Sequence, residues 1–150
     1  MFATVRGAGL GALVLLAGSA LVLVPMYLLL GPERVLVGAT LEFNTAWIGI
    51  SMVVSLIAAT LAGWMAHRAS GKLAAVVVLA ALVMAFGLLD AAFHHWLMPE
   101  LGLSPDGVSG LALLVALREP LWYDLSAPLL MAIFIWVAGS SRHIEHPRPE

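Results

Sequence analysis

The stretch LAAVVVLAALVMAFGLLDAAFHHWL, residues 73–97, decides the fold. From Leu73 to Leu89 no side chain is polar or charged, and the first ionisable group is Asp90. A helix crosses the hydrocarbon core of a bilayer with about 20 apolar residues, each adding about 1.5 Å. Lipid cannot hydrogen-bond an open backbone, so a run this long reads as a transmembrane helix. Its apolar residues cover every side of the helix rather than one stripe, as expected of a surface that meets lipid.

Working outward, the preceding HRASGK at residues 67–72 is a tight turn, and before it lies a second uncharged run from about Thr45 to Ala66. A first run extends from about Ala8 to Leu30, and a fourth from about Leu121 to Gly139, carrying Asp124 and Pro128. The expected fold is therefore an all-α integral membrane protein. Residues 1–150 form one membrane domain, a four-transmembrane-helix bundle with a flexible tail over 140–150. The first run continues past the AGSA at residues 17–20, well beyond a secretory h-region of about 7–15 residues, and reads as a retained helix.

The composition agrees. Of 150 residues, 62% are hydrophobic and only 11% charged, against about 25% charged in soluble domains. The mean hydropathy is +1.02. A net charge of −2 offers nothing to a nucleic acid. The absence of cysteine removes disulfides, thiolate metal sites and a cysteine nucleophile.

Basic residues set the orientation. Arg6, Arg68, Lys72, Arg142 and Arg148 fall at one set of helix ends, and only Arg34 and Arg118 at the other. Both termini are therefore expected in the cytoplasm, and a bacterial inner membrane is the expected location. Tyr27, Trp47, Trp96, Trp122 and Tyr123 fall at the outer ends, Trp64 and Trp136 near the inner ones. Rings with a polar edge prefer that boundary.

Between the third and fourth spans, PELGLSPDG at 99–107 is turn chemistry. The apolar residues 108–117 that follow are too short to cross and suit an interfacial or re-entrant helix. Asn44 is placed to cap the second helix. Small residues at four-residue spacing (Gly7 and Gly11; Ser55, Ala59 and Gly63; Ala81 and Ala85) would let helices approach closely. Pro128 removes the hydrogen bond to the Asp124 carbonyl and predicts a bend in the fourth helix.

Chemistry has few places to reside. No internal repeat, phosphate loop, serine elbow or zinc motif occurs, and no two histidines sit at matching depths for haem. The middle of every span lacks an ionisable residue, which argues against a proton or ion pathway through one copy. What remains is an outer-face cluster. Asp90 and His94, four apart, share one helix face, so the carboxylate can orient the imidazole. The α-helical rotation turns His95 about 100° away from them. Glu42, Glu100, Glu119, Tyr123 and Asp124 come to the same membrane face. Asp90, His94, Glu119 and Asp124 are the catalytic candidates. Asp90, His94, Glu42 and Asp124 are the metal candidates, with chemistry suited to a divalent ion such as zinc or manganese. Nothing in the sequence requires a cofactor. Polar residues at helix ends also meet water as a matter of course.

Three functions follow in order. The first is a multi-pass component without a catalytic motif, an accessory subunit or a homo-oligomer whose constant partner is the lipid bilayer. The second is a membrane-embedded enzyme or divalent-metal-handling protein using the outer cluster. The third is transport through an oligomeric interface lined by Ser51 and Ser55.

Overall fold

The computed structural model describes residues 1–38, 42–97, 117 and 119–145, with backbone alone at 97 and 142–145. The described residues are almost entirely helical, with no strand among them. The elements are α1 (Phe2–Leu30), the single turn α2 (Pro32–Val35), α3 (Thr45–Ser70), α4 (Leu73–Ala92) continued by a π-helical turn (Phe93–Leu97), and α5 (Leu121–Glu145). Four of these helices are long and apolar enough to cross a membrane. The expected interfacial or re-entrant helix over 108–117 lies outside the described residues, save for Leu117.

The helices run further than the apolar spans. α1 begins at Phe2 rather than near Ala8, and α3 continues to Ser70. The tail, expected to be loose from 140, stays helical through Glu145. Hydropathy marks the apolar run, whereas backbone hydrogen bonding carries the helix on through polar residues, where Arg6 donates to the Ala69 carbonyl at 2.5 Å and Arg68 lies over the Trp64 ring.

The termini of these elements follow from local chemistry. Asn44 Oδ1 accepts from the Trp47 N–H at 2.8 Å, the expected cap, while Asn44 Nδ2 donates to the Arg34 carbonyl. At the turn, Gly71 closes α3 with a left-handed φ of 63°, which glycine adopts without a Cβ penalty. Between α2 and α3 the chain pairs once with itself, Leu36 against Phe43.

The bundle is held by close approach of backbones. α1 packs chiefly on α3, and α5 lies on both α3 and α4, so α1 and α5 occupy opposite corners. A Cβ at Gly7 would lie 2.6 Å from the Ala66 carbonyl oxygen, and one at Gly11 would lie 2.9 Å from that of Ala62. On the other side of α3, a Cβ at Gly63 would lie 2.8 Å from both Cα and the carbonyl carbon of Ile135. Two of the three small-residue seams are therefore filled within the chain. Ala81 and Ala85 of α4 instead face outward. The shared core of Ala58, Ala59, Ala62, Ala66, Val76, Leu79 and Ile135 sits toward the end bearing the termini. At the opposite end Val35, Leu36, Trp47 and Leu117 make a second cluster, and Ile48, Tyr123 and Ala127 a third.

Candidate functional site

The third cluster leads directly to the polar groups. Tyr123, in the first turn of α5, packs against α3 and is 5% exposed. Its hydroxyl stands 3.1 Å from Ser51 Oγ, and Ser51 donates to the Ile48 carbonyl at 3.0 Å. Ser51, also 5% exposed, faces α5 inside the bundle rather than an outer surface. As an isolated hydroxyl in an apolar setting it is satisfied by these contacts.

Next along α5, Asp124 is the buried charged side chain of the described core, 8% exposed as a residue. A carboxylate removed from water needs strong partners. It has two. His95 Nε2 lies 2.8 Å from Asp124 Oδ2. On its other side the Glu119 side chain is hydrogen-bonded to Asp124.

The histidine that reaches Asp124 is thus His95, not His94. As the rotation between neighbours requires, His95 lies away from the Asp90–His94 pair, and residues 93–97 wind as a π-helical turn. A π turn closes rings of i→i+5 hydrogen bonds, so each residue advances by a smaller angle and the register of the following side chains changes. His95 faces α5. His94 does meet Asp90, as the four-residue spacing predicts: its Nδ1 is 3.1 Å from the Asp90 carbonyl and 3.5 Å from Asp90 Oδ1. With the Asp90 side chain 67% exposed, this pair adds little stability.

Glu119 stands just before α5, outside the spanning segment. Burial pushes its carboxyl up to about 8, and the hydrogen bond and negative charge of Asp124, then the charge of Asp90, act in the same direction. Each cause favours the neutral acid. Asp124 and Asp90 thus both act on Glu119, while Glu42 stands exposed on the short bridge preceding α3. Among the described residues no group of three or more His, Asp or Glu side chains is arranged to hold a metal ion.

Pro128 sits inside α5 one turn beyond Asp124, and its ring packs against Gly87 of α4. The same proline that denies the Asp124 carbonyl its helical partner also seats α5 on α4, next to the level where Asp124 meets His95.

Two of these contacts escape sequence reasoning for identifiable causes. Nothing in FHHWL distinguishes a π turn from an α turn. The Ser51–Tyr123 pair joins residues 72 apart, and only the α3–α5 packing brings them together. The signal available was weaker: two carboxyls flanking the start of α5, with adjacent histidines just past the end of α4.

Comparisons of the chain with models of known protein families, with curated protein sequences and with solved structures find no match.

Proposed function

We propose that this chain is a polytopic inner-membrane protein with both termini cytoplasmic. It serves as a helical component of a membrane assembly, built with copies of itself or as an accessory subunit of a larger complex. The observation that carries this reading is the outward face of α4. Ala81 and Ala85 are exposed there beside Leu82, Phe86 and Leu89, the last three being 43%, 68% and 64% exposed. Within the chain, seams of this composition are closed by another helix, and in lipid such seams favour helix association through close packing. The positive residues at the termini-bearing end supply the orientation.

The chain contains no cysteine, so Ala85→Cys introduces a single thiol into that face. Native mass spectrometry of the parent in native-lipid particles is expected to report a multimer or a stoichiometric partner. Oxidation of Ala85→Cys in intact membranes should capture the same neighbour, whereas Leu21→Cys on α1 should not. A parent that is strictly monomeric and without a stoichiometric partner in those particles refutes the proposal.

A further inference from the structure

We propose that the groove between α3 and α5 seats one acyl chain of a phospholipid whose anionic headgroup is held by Arg68 at the termini-bearing end. This rests on the four long helices spanning a membrane; it goes beyond an assembly role and does not require one. Thr60 of α3 and Ile133, Phe134, Val137 and Ala138 of α5 line a cleft of about 280 Å³. It opens beside the crossing where Gly63 brings α3 onto the backbone of Ile135. The lining is apolar but for the Thr60 hydroxyl, which donates to the Leu56 carbonyl at 2.8 Å.

A second helix fits this groove poorly. Where helices of this chain meet closely, Gly7, Gly11 and Gly63 let the backbones approach, as small residues do at helix interfaces in lipid. Here the rim is built of Ile133, Phe134 and Val137, all three exposed, and such side chains hold another backbone off. An acyl chain needs no close approach of backbones. It is slender, carries no hydrogen-bonding group, and gains dispersion contact along its length.

The charge at one end of the groove selects the headgroup. Thr60, Trp64 and Arg68 follow one another at four-residue intervals, so they lie on one side of α3. The Arg68 guanidinium carbon stands 5.0 Å from the centre of the Trp64 ring, and the attraction of a cation for the ring face keeps this exposed side chain on that side. Among the described residues no carboxylate is paired with it. Lys72 adds a second exposed cation at the turn that follows. A planar guanidinium binds a phosphate through paired N–H donors. The helix between Thr60 and Arg68 rises about 12 Å, and half of the hydrocarbon core is about 15 Å. A phosphate at Arg68 therefore brings its own acyl chain to the level of the cleft.

The test uses the full chain in nanodiscs of equimolar phosphatidylcholine and phosphatidylglycerol with matched acyl chains. Native mass spectrometry should show phosphatidylglycerol retained by the parent in preference to phosphatidylcholine. Arg68→Gln should lower that preference about tenfold, the worth of a charge-assisted hydrogen bond, whereas Arg34→Gln at the other end should keep it. Val137→Trp, which fills the cleft from an exposed position, should lower retention of both lipids. Phosphatidylglycerol carrying a diazirine on its acyl chain should label residues 133–138 of the parent above α1, which judges the groove without any variant. Equal retention of the two lipids by the parent, or a preference unchanged in Arg68→Gln, overturns the proposal. Labelling of 133–138 no higher than that of α1, or a folded Val137→Trp that retains lipid as the parent does, overturns it equally. A monomer that retains the lipid supports it while refuting an assembly role, and a chain that fails to enter nanodiscs overturns it together with the membrane placement.

Discussion

Adding one methyl group at Gly63 should damage this bundle more than its size suggests. The Cβ of Gly63→Ala would come within 2.8 Å of Ile135 Cα and carbonyl carbon, and closer still to the Ile135 carbonyl oxygen. These are backbone atoms of α5, so no side-chain rotation relieves the overlap. The helices must separate, and the buried contacts of Ile135, which is 0% exposed, loosen with them. Overpacking of this kind costs about 1–3 kcal/mol. Against it stands the intrinsic advantage of Ala over Gly inside a helix, about 1 kcal/mol. The obstruction is rigid, so the upper part of the overpacking range applies, leaving a net loss of about 2 kcal/mol. For a chain of this size that corresponds to a drop of roughly 4–8 °C in Tm. Gly9 is the control, because a Cβ there meets nothing within 4 Å. Thermal unfolding in detergent, followed by circular dichroism, should place Gly63→Ala below the parent and Gly9→Ala level with it or above. If Gly63→Ala is as stable as Gly9→Ala, α3 and α5 do not approach at Gly63 and the packing argument fails.

Two further outcomes test the neighbouring features. Gly87→Ala drives a methyl into the Pro128 ring and should cost about 1–3 kcal/mol, most of it recovered by adding Pro128→Ala; losses that merely add in the double variant would show that the two residues are not in contact. Glu119 gives a pH dependence of definite sign. The folded chain keeps the proton up to about 8, while the ordinary value is 4.5, so across that interval the folded state binds more protons than the unfolded one and stability falls as pH rises. The full effect is on the order of 4 kcal/mol, so the parent Tm should be lower at about pH 9 than at about pH 5, and Glu119→Gln should lack that decline. A parent whose Tm does not decline over that range contradicts the buried placement of Glu119.

The fold was legible because hydrophobicity is a property of each residue alone, and summing it over a span needs no knowledge of neighbours. The runs beginning at Thr45 and Leu73 coincide with the starts of α3 and α4, and Asn44 caps as its chemistry dictates. The site was legible only in membership. Asp90, His94, Glu119 and Asp124 gather at one end of the bundle, but which of them touch depends on a few tens of degrees of helix rotation. His94 meets Asp90 as its spacing dictates, while the contact of His95 with Asp124 depends on how α5 packs against the π turn at 93–97, which FHHWL does not mark. Ser51 shows the same limit: its place in α3 was evident, while the face it presents was decided by Tyr123. Glu119 lies before the first turn of α5, where helical spacing rules do not reach it.

The corner position of α1, away from α5, has a consequence for biosynthesis. A chain made from its N-terminus delivers α1, α3 and α4 before α5, and these three already contact one another. The histidine end of the acid–imidazole contact therefore waits in the nascent protein for a carboxylate supplied 29 residues later. Until α5 arrives, His95 has no Asp124, and Ser51 has no phenol. The polar contacts at the end of the bundle opposite the termini are thus a marker of α5's arrival: they exist only in a chain that has been synthesised through α5.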